Sequence, residues 1–166
     1  MEQGNIIIKN AAQLVTCSGY SAKKGRQMSD LSIIENGTVV ITDGKISYVG
    51  KDANCPPLSD FPNHEVVDAK GKAVLPGFID SHTHFIFGGY REEEFSWRMR
   101  GDSYMSIMER GGGIHNTMTA TRNASFGELK ESGRKRLDRM LAMGVTKEKG
   151  KSGYGMDKDT ELKQLE

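Results

Sequence analysis

The chain has 166 residues, enough for one ordinary domain or for a small domain plus part of another. Lys and Arg number 23 against 22 Asp and Glu, a net charge of +1 with no basic stripe, which excludes the usual electrostatic profile of a nucleic-acid binder. Two distant cysteines, Cys17 and Cys55, exclude a disulfide framework, and no apolar run approaches the roughly 20 residues needed to cross a bilayer.

Residues 5–74 read as short strands joined by turns. Ile6–Ile8 and Leu14–Val15 are brief β-rich runs, residues 18–30 are a polar loop, and Leu31–Ile34 and Thr38–Thr42 resume the strand pattern. Asp43-Gly44 lies between two β-rich runs, which predicts a tight hairpin, because both central residues of a type I′ turn need positive φ. Three prolines between residues 51 and 63 predict a surface loop, with an exposed His64 at its end. Glu65–Asp68 and Lys72–Leu75 flank a turn at Lys70-Gly71.

Val74-Leu75-Pro76-Gly77-Phe78-Ile79-Asp80-Ser81-His82-Thr83-His84 reads as a buried strand ending in two histidines. Residues two apart on a strand point the same way, so His82 and His84 can aim two imidazoles at one point. A transition metal is the usual reason for that. The pair alone is weak evidence; its place at the end of an apolar strand strengthens it, since α/β folds gather their sites at the carboxyl ends of parallel strands. Asp80 shares the face of His82 and is expected to make a structural hydrogen bond. His115 reads as a loop or helix-start residue and not a ligand.

Residues 88–124 are mixed. A helix then opens at Ser125, whose spacing to Glu128 is that of a capping box, and ends near Gly144. Its basic cluster Arg134-Lys135-Arg136, interleaved with Glu131 and Asp138, reads as a solvated face. A strand over 145–150 and a helix from about Asp157 complete the order strand, helix, strand, helix. That order predicts an α/β fold with parallel strands. The domain boundary is drawn between residues 73 and 74.

The run from Pro76 to His84, with Asp43-Gly44-Lys45-Ile46 and Val67-Asp68-Ala69-Lys70-Gly71 before it, resembles the metal-dependent amidohydrolase superfamily. Further motifs resemble the imidazolonepropionase family in particular. They are Arg91-Glu92-Glu93-Glu94-Phe95, Gly111-Gly112-Gly113-Ile114 and Lys151-Ser152-Gly153-Tyr154-Gly155. The resemblance implies part of a small β-sandwich over 1–73 and the first βα units of a TIM barrel over 74–166. It implies one zinc or iron ion on His82 and His84, and hydrolysis of 4-imidazolone-5-propanoate to N-formimidoyl-L-glutamate in histidine degradation. It places Arg91 on the carboxylate of this small-molecule substrate and Tyr154 in the substrate pocket, with Tyr104 beside it. A homodimer is expected of the intact enzyme, with no nucleic-acid or membrane partner.

The residues keep other readings open. Without the resemblance, Arg91 reads as a salt-bridge partner of Glu92–Glu94, and Tyr154 as a packed loop aromatic. The N-terminus lacks a basic region followed by an apolar core, which predicts a soluble cytoplasmic protein. The residues after Val74 are far fewer than the roughly 250 of a full barrel. The further metal ligands and the catalytic groups are therefore expected beyond residue 166, and the 166 residues alone are expected to be inactive. Competing readings are a non-catalytic remnant and a hydrolase or deaminase of another cyclic amide. Lys147-Glu148-Lys149 departs from the family, because a buried strand would not readily accept three consecutive charges.

Overall fold

The computed structural model describes residues 4–166 and divides into a first unit ending at Pro76 and a second running from Gly77 to Glu166. Residues 1–3, part of the stretch read for a leader, lie outside the described residues.

The first unit is a mixed five-stranded sheet. Its strands are β1 (Ile6–Val15), β2 (Ile33–Thr42), β3 (Lys45–Lys51), β4 (Glu65–Asp68) and β5 (Ala73–Val74). The order is β3-β2-β1-β4, with β5 also on β1. The β1–β2 and β2–β3 pairs are antiparallel, while β4 and β5 run parallel to β1. The two short runs expected at 6–8 and 14–15 are one strand. A bulge between Ile8 and Ala11 joins them, with Asn10 at φ 58° and its side-chain amide donating to Asp68 Oδ1 at 3.0 Å. Asn tolerates that left-handed conformation because its short polar side chain bonds locally. The hairpin forms as expected, with Asp43 at φ 52° and Gly44 at φ 72°.

Ile7 and Val40 face each other across β1 and β2 and are fully buried. On the opposite face, Ile8, Val39, Ile41, Ile46 and Val49 line an open apolar hollow, and Ile46 is 67% exposed. His64 corrects its expectation. It is half-buried, packs edge-on against Phe61, and its Nε2 lies 2.9 Å from the Thr42 hydroxyl.

The second unit carries β6 (Phe78–Thr83), α1 (Glu92–Met99), α2 (Tyr104–Glu109), α3 (Ile114–Asn123), α4 (Phe126–Ala142), β7 (Val145–Gly150) and α5 (Lys158–Leu165). β6 and β7 pair in parallel, and α1–α4 form the crossover that a parallel pair requires. The architecture is α/β.

The expected single strand from Val74 to His84 is broken. Ala73–Val74 pair with Gln13–Leu14 of β1, while Phe78 onward pairs with β7. Proline at 76 has no N–H to give to a ladder, and the chain changes sheet there. The division between the units therefore falls three residues beyond the boundary drawn from the sequence. Nor is β6 buried at its start: among the described residues its ladder partner is β7, and Phe78 and Ile79 are 55% and 68% exposed.

The core of this unit is small and partly polar. Ile107, Leu129 and Thr121 are fully buried. The Thr121 hydroxyl donates to the Thr117 carbonyl at 2.7 Å and accepts the Gly88 N–H at 3.0 Å, fastening the segment after β6 to α3. Only glycine fits at 88, because a Cβ there would lie 2.5 Å from the Ala120 carbonyl oxygen.

α4 starts as its sequence predicts. Ser125 Oγ accepts the Glu128 N–H at 3.3 Å, and Glu128 Oε2 accepts the Ser125 N–H at 2.8 Å. That backbone hydrogen bond, with one from the Ser125 hydroxyl, holds the Glu128 carboxyl below its usual range. Replacing Ser125 by alanine removes one side of the box. The variant is expected to lose about 1 kcal/mol of stability, read as a lower urea midpoint. Further along α4 the basic cluster divides. Arg134 and Lys135 are exposed and pair with Glu131 and Asp138, whereas Arg136 turns inward.

Candidate metal and substrate site

His82 lies in β6 and His84 follows it directly. The strand end is shaped by Asp80, whose Oδ1 accepts the His82 N–H at 3.0 Å, the structural bond expected of it. The two imidazole rings stand 5.6 Å apart between centroids. An ion about 2.1 Å from a ring nitrogen lies about 3 Å from that ring's centre, so two rings sharing one ion stand within about 6–7 Å. The observed separation meets that condition. His84 Nδ1 is buried and, among the described residues, has no hydrogen-bond partner. A ring nitrogen withdrawn from water with nothing to bond suits a cation ligand. Among the described residues no cluster of three or more His, Cys, Asp or Glu side chains forms around the pair. A catalytic metal centre uses three or more protein ligands, so the pair by itself, as described, is not a complete one.

The loop after β7 brings Tyr154 to the same place. Lys151 N–H donates to the Thr83 carbonyl at 2.9 Å, continuing the β6–β7 ladder and drawing residues 151–154 alongside His84. The Tyr154 ring then lies 5.3 Å from that of His84. Gly153 permits the approach, since a Cβ there would sit 2.9 Å from His84 Cε1. The far side of the loop is clamped by α5 and α3. Glu161 Oε1 accepts the Gly155 and Met156 N–H groups, each at 2.7 Å, and Arg122 Nε donates to the Gly155 carbonyl at 2.6 Å. Burial works to raise the Glu161 carboxyl, but its hydrogen bonds from Ser152, Met156 and Gly155 together outweigh it and hold the group below its usual range.

Phe87 extends the cluster. Its ring meets Tyr154 edge-on at 5.7 Å and Tyr90 at 6.0 Å. The Arg136 guanidinium lies 3.5 Å from the centre of Phe87, and its Nη1 donates to the Phe85 and Phe87 carbonyls at 2.8 and 3.0 Å. Reading the basic cluster as one solvated face missed this residue. Its signal was available, because Arg136 shares a helical face with the buried Leu129 and Gly133.

Arg91 and Tyr104 belong to a second group, around Gly113. Arg91 precedes the first turn of α1, with its side chain 38% exposed and Nη1 3.9 Å from Glu94 Oε2. The ion pair allowed by the residues alone is thus present, and it is long. Glu94 is buried, a role the sequence did not disclose, and its Oε1 accepts the Gly113 N–H at 2.7 Å. Tyr104 opens α2 and is 54% exposed; its hydroxyl lies 3.6 Å from where a Cβ on Gly113 would be. His115 is exposed on the first turn of α3.

The charged run at 147–149 is accommodated by strand alternation. Lys147 and Lys149 are exposed, while Glu148 turns inward beside Asp80, its partner across the ladder. Both Glu148 carboxylate oxygens are buried without a partner among the described residues. Burial, with the nearby Asp80 carboxylate, pushes the Glu148 carboxyl above its usual range.

Known proteins match this chain along nearly its whole length. A model of the amidohydrolase family matches residues 65–128. Imidazolonepropionase from Parabacteroides distasonis is 58% identical over 165 residues, which are 99% of this chain and 40% of that protein. The Clostridium tetani imidazolonepropionase is 55% identical over 99% of this chain and 39% of its own length. The chain thus spans about 40% of the length of the curated relatives it matches. Among solved structures, a triazine hydrolase from Arthrobacter aurescens superposes with a TM-score of 0.59 at 17% identity, covering 98% of this chain and 33% of that one. The atrazine chlorohydrolase of the same organism, complexed with zinc, gives 0.55 at 19% identity over 96% of this chain and 33% of that one. At such identities the likeness is one of fold, and it agrees with the α/β architecture. The sequence matches go further: this chain belongs to the imidazolonepropionase family of the metal-dependent amidohydrolase superfamily.

Proposed function

We propose that the protein carrying this chain opens the ring of 4-imidazolone-5-propanoate with water, giving N-formimidoyl-L-glutamate in histidine degradation. The observation that carries the reading is the convergence of His82, His84 and Tyr154 at one strand end. In this reading β6, β7 and the helices are the opening units of a (β/α)8 barrel, and the first unit is part of a β-sandwich. The protein acts in the cytoplasm, as a homodimer when intact.

His82 and His84 would hold one zinc or iron ion, whose Lewis acidity lowers the pKa of water toward neutrality when bound. Arg91 receives the substrate's propanoate carboxylate, and its forked, permanently charged guanidinium suits a planar anion. Its long contact with Glu94 leaves donors free for that task. Tyr154 and Tyr104 bound the pocket. Tyr154, set between Gly153 and Gly155, packs against the imidazole of His84 and excludes water from that side. The proton-transfer groups are not assigned to any residue of this chain.

The test is formation of N-formimidoyl-L-glutamate by a protein of full family length carrying residues 1–166 and loaded with zinc or iron. Turnover is expected, and none is expected from a polypeptide of these 166 residues alone. A metal-loaded full-length protein without turnover would overturn the reading. In the active protein, Arg91→Lys keeps the charge and loses the fork. KM is expected to rise about tenfold with kcat little changed, since the ammonium keeps one charge-assisted bond and loses the second, parallel bond of the fork. An unchanged KM would remove Arg91 from the carboxylate.

A further inference from the structure

We propose that Arg136, on α4, is a positioning residue for Tyr154, acting through Phe87. Its connection to the histidine pair is continuous. Arg136 Nη1 donates to two carbonyls of the segment after β6, those of Phe85 and Phe87, on either side of Ile86. Its guanidinium plane lies on the Phe87 ring at 3.5 Å and reaches Tyr90 at 5.2 Å. Phe87 meets Tyr154 edge-on, and Tyr154 lies on His84.

Each link resists a different motion. The carbonyl bonds fix the height of the segment against α4. The cation on the face of Phe87 fixes the rotation of that ring, because a guanidinium binds the negative face of an aromatic and not its edge. A ring so held fixes its T-shaped pairing with Tyr154, an arrangement that aromatic pairs favour. Ser132 Oγ, one turn before Arg136, lies 3.4 Å from the same Nη1 and braces the guanidinium. Arg136 touches neither histidine, and no proton or electron passes through it.

The functional consequence rests on the reading of Tyr154 as a wall of the substrate pocket. The positioning claim itself also has a readout that needs no turnover. In full-length protein labelled with 3-fluorotyrosine, the Tyr154 resonance is identified by its loss in Tyr154→Phe. Arg136→Lys, which keeps a donor but loses the planar face, is expected to shift that resonance. Arg134→Lys, at an exposed neighbour on the same helix, is expected to leave it in place. Arg136→Gln keeps an N–H donor for the carbonyls and loses the cationic plane on Phe87, so it should shift the resonance even if Arg136→Lys fails to fold.

In the active protein, Arg136→Lys is expected to raise KM about five- to tenfold at unchanged metal content. Its effect should not multiply with that of Tyr154→Leu, because residues acting through one network are non-additive. A purely structural Arg136 would lower Tm, leave KM unmoved and leave the Tyr154 signal where it was; that outcome overturns the proposal. If the wild-type protein turns nothing over, the functional reading fails, and the fluorine spectrum still decides the positioning claim.

Discussion

Alanine at His82 or His84 is expected to abolish metal retention and turnover together. In the proposed reading the chain supplies two imidazoles to the centre, and among the described residues no third donor gathers beside them to compensate for the loss of one. Changing groups that merely orient metal ligands already weakens affinity about 10–100-fold, so loss of a ligand itself should exceed about 100-fold. The two variants should nevertheless differ in stability. His82 is exposed, and its ring has little to support. His84 packs against Tyr154 and closes over Gly153, so its removal costs about 1 kcal/mol more through the lost ring contact. Metal content after dialysis and thermal unfolding of the apo-proteins separate the two effects. A His84→Ala protein that kept a full complement of metal and its rate would dismiss the pair as ligands.

Glu94→Ala is expected to have the second-largest effect, although the partners of Glu94 are Gly113 and Arg91 and lie apart from the histidine pair in sequence. Its carboxylate is buried and accepts the N–H of Gly113 at 2.7 Å. Without it that donor is buried unmet, a loss of about 1–3 kcal/mol. Little should be added for the Arg91 pair, which is long and partly solvated. Gly113 sits at φ 67°, and the strained turn it makes positions the start of α3 beside Tyr104. Loosening that turn should also raise KM. Glu94→Gln keeps an oxygen for the Gly113 N–H, so it should recover most of the stability and bind substrate better than the alanine variant. Urea unfolding and steady-state kinetics on the three proteins check the order wild type, Gln, Ala. A glutamine variant as damaged as alanine would mean that charge, and not the accepted hydrogen bond, is what the loop needs.

Both predictions turn on how a site is supported, and support is what the sequence concealed. Phe87 reads as one more apolar residue after a strand, and Arg136 as one of three consecutive basic residues. Only their meeting gives either a role. Glu94 is one of three consecutive glutamates, and what distinguishes it from Glu92 and Glu93 is its burial and its bond to Gly113. Lys147-Glu148-Lys149 looked incompatible with a strand, yet alternation lets two lysines face solvent while one acid turns in.

Features set by neighbours in the chain were legible before any fold was known. The Asp43-Gly44 hairpin, the Ser125–Glu128 capping box, the helix starting after Asp157 and the two-residue spacing of His82 and His84 each depend on a few consecutive residues, whose φ, ψ and side-chain reach are local properties. The family motifs were legible for the same reason. Contacts between distant segments were not. The bulge that makes residues 6–15 one strand needs β2 and Asp68, the departure of Ala73–Val74 to β1 needs the whole first sheet, and the inward turn of Arg136 needs the carbonyls of Phe85 and Phe87. By itself the sequence determined the local turns and caps, and it singled out candidates for binding a metal and a carboxylate. The tertiary structure decided which side chains hold them in place, because a hydrogen bond or ring contact across 50 residues depends on where two segments pack, and no local pattern specifies that.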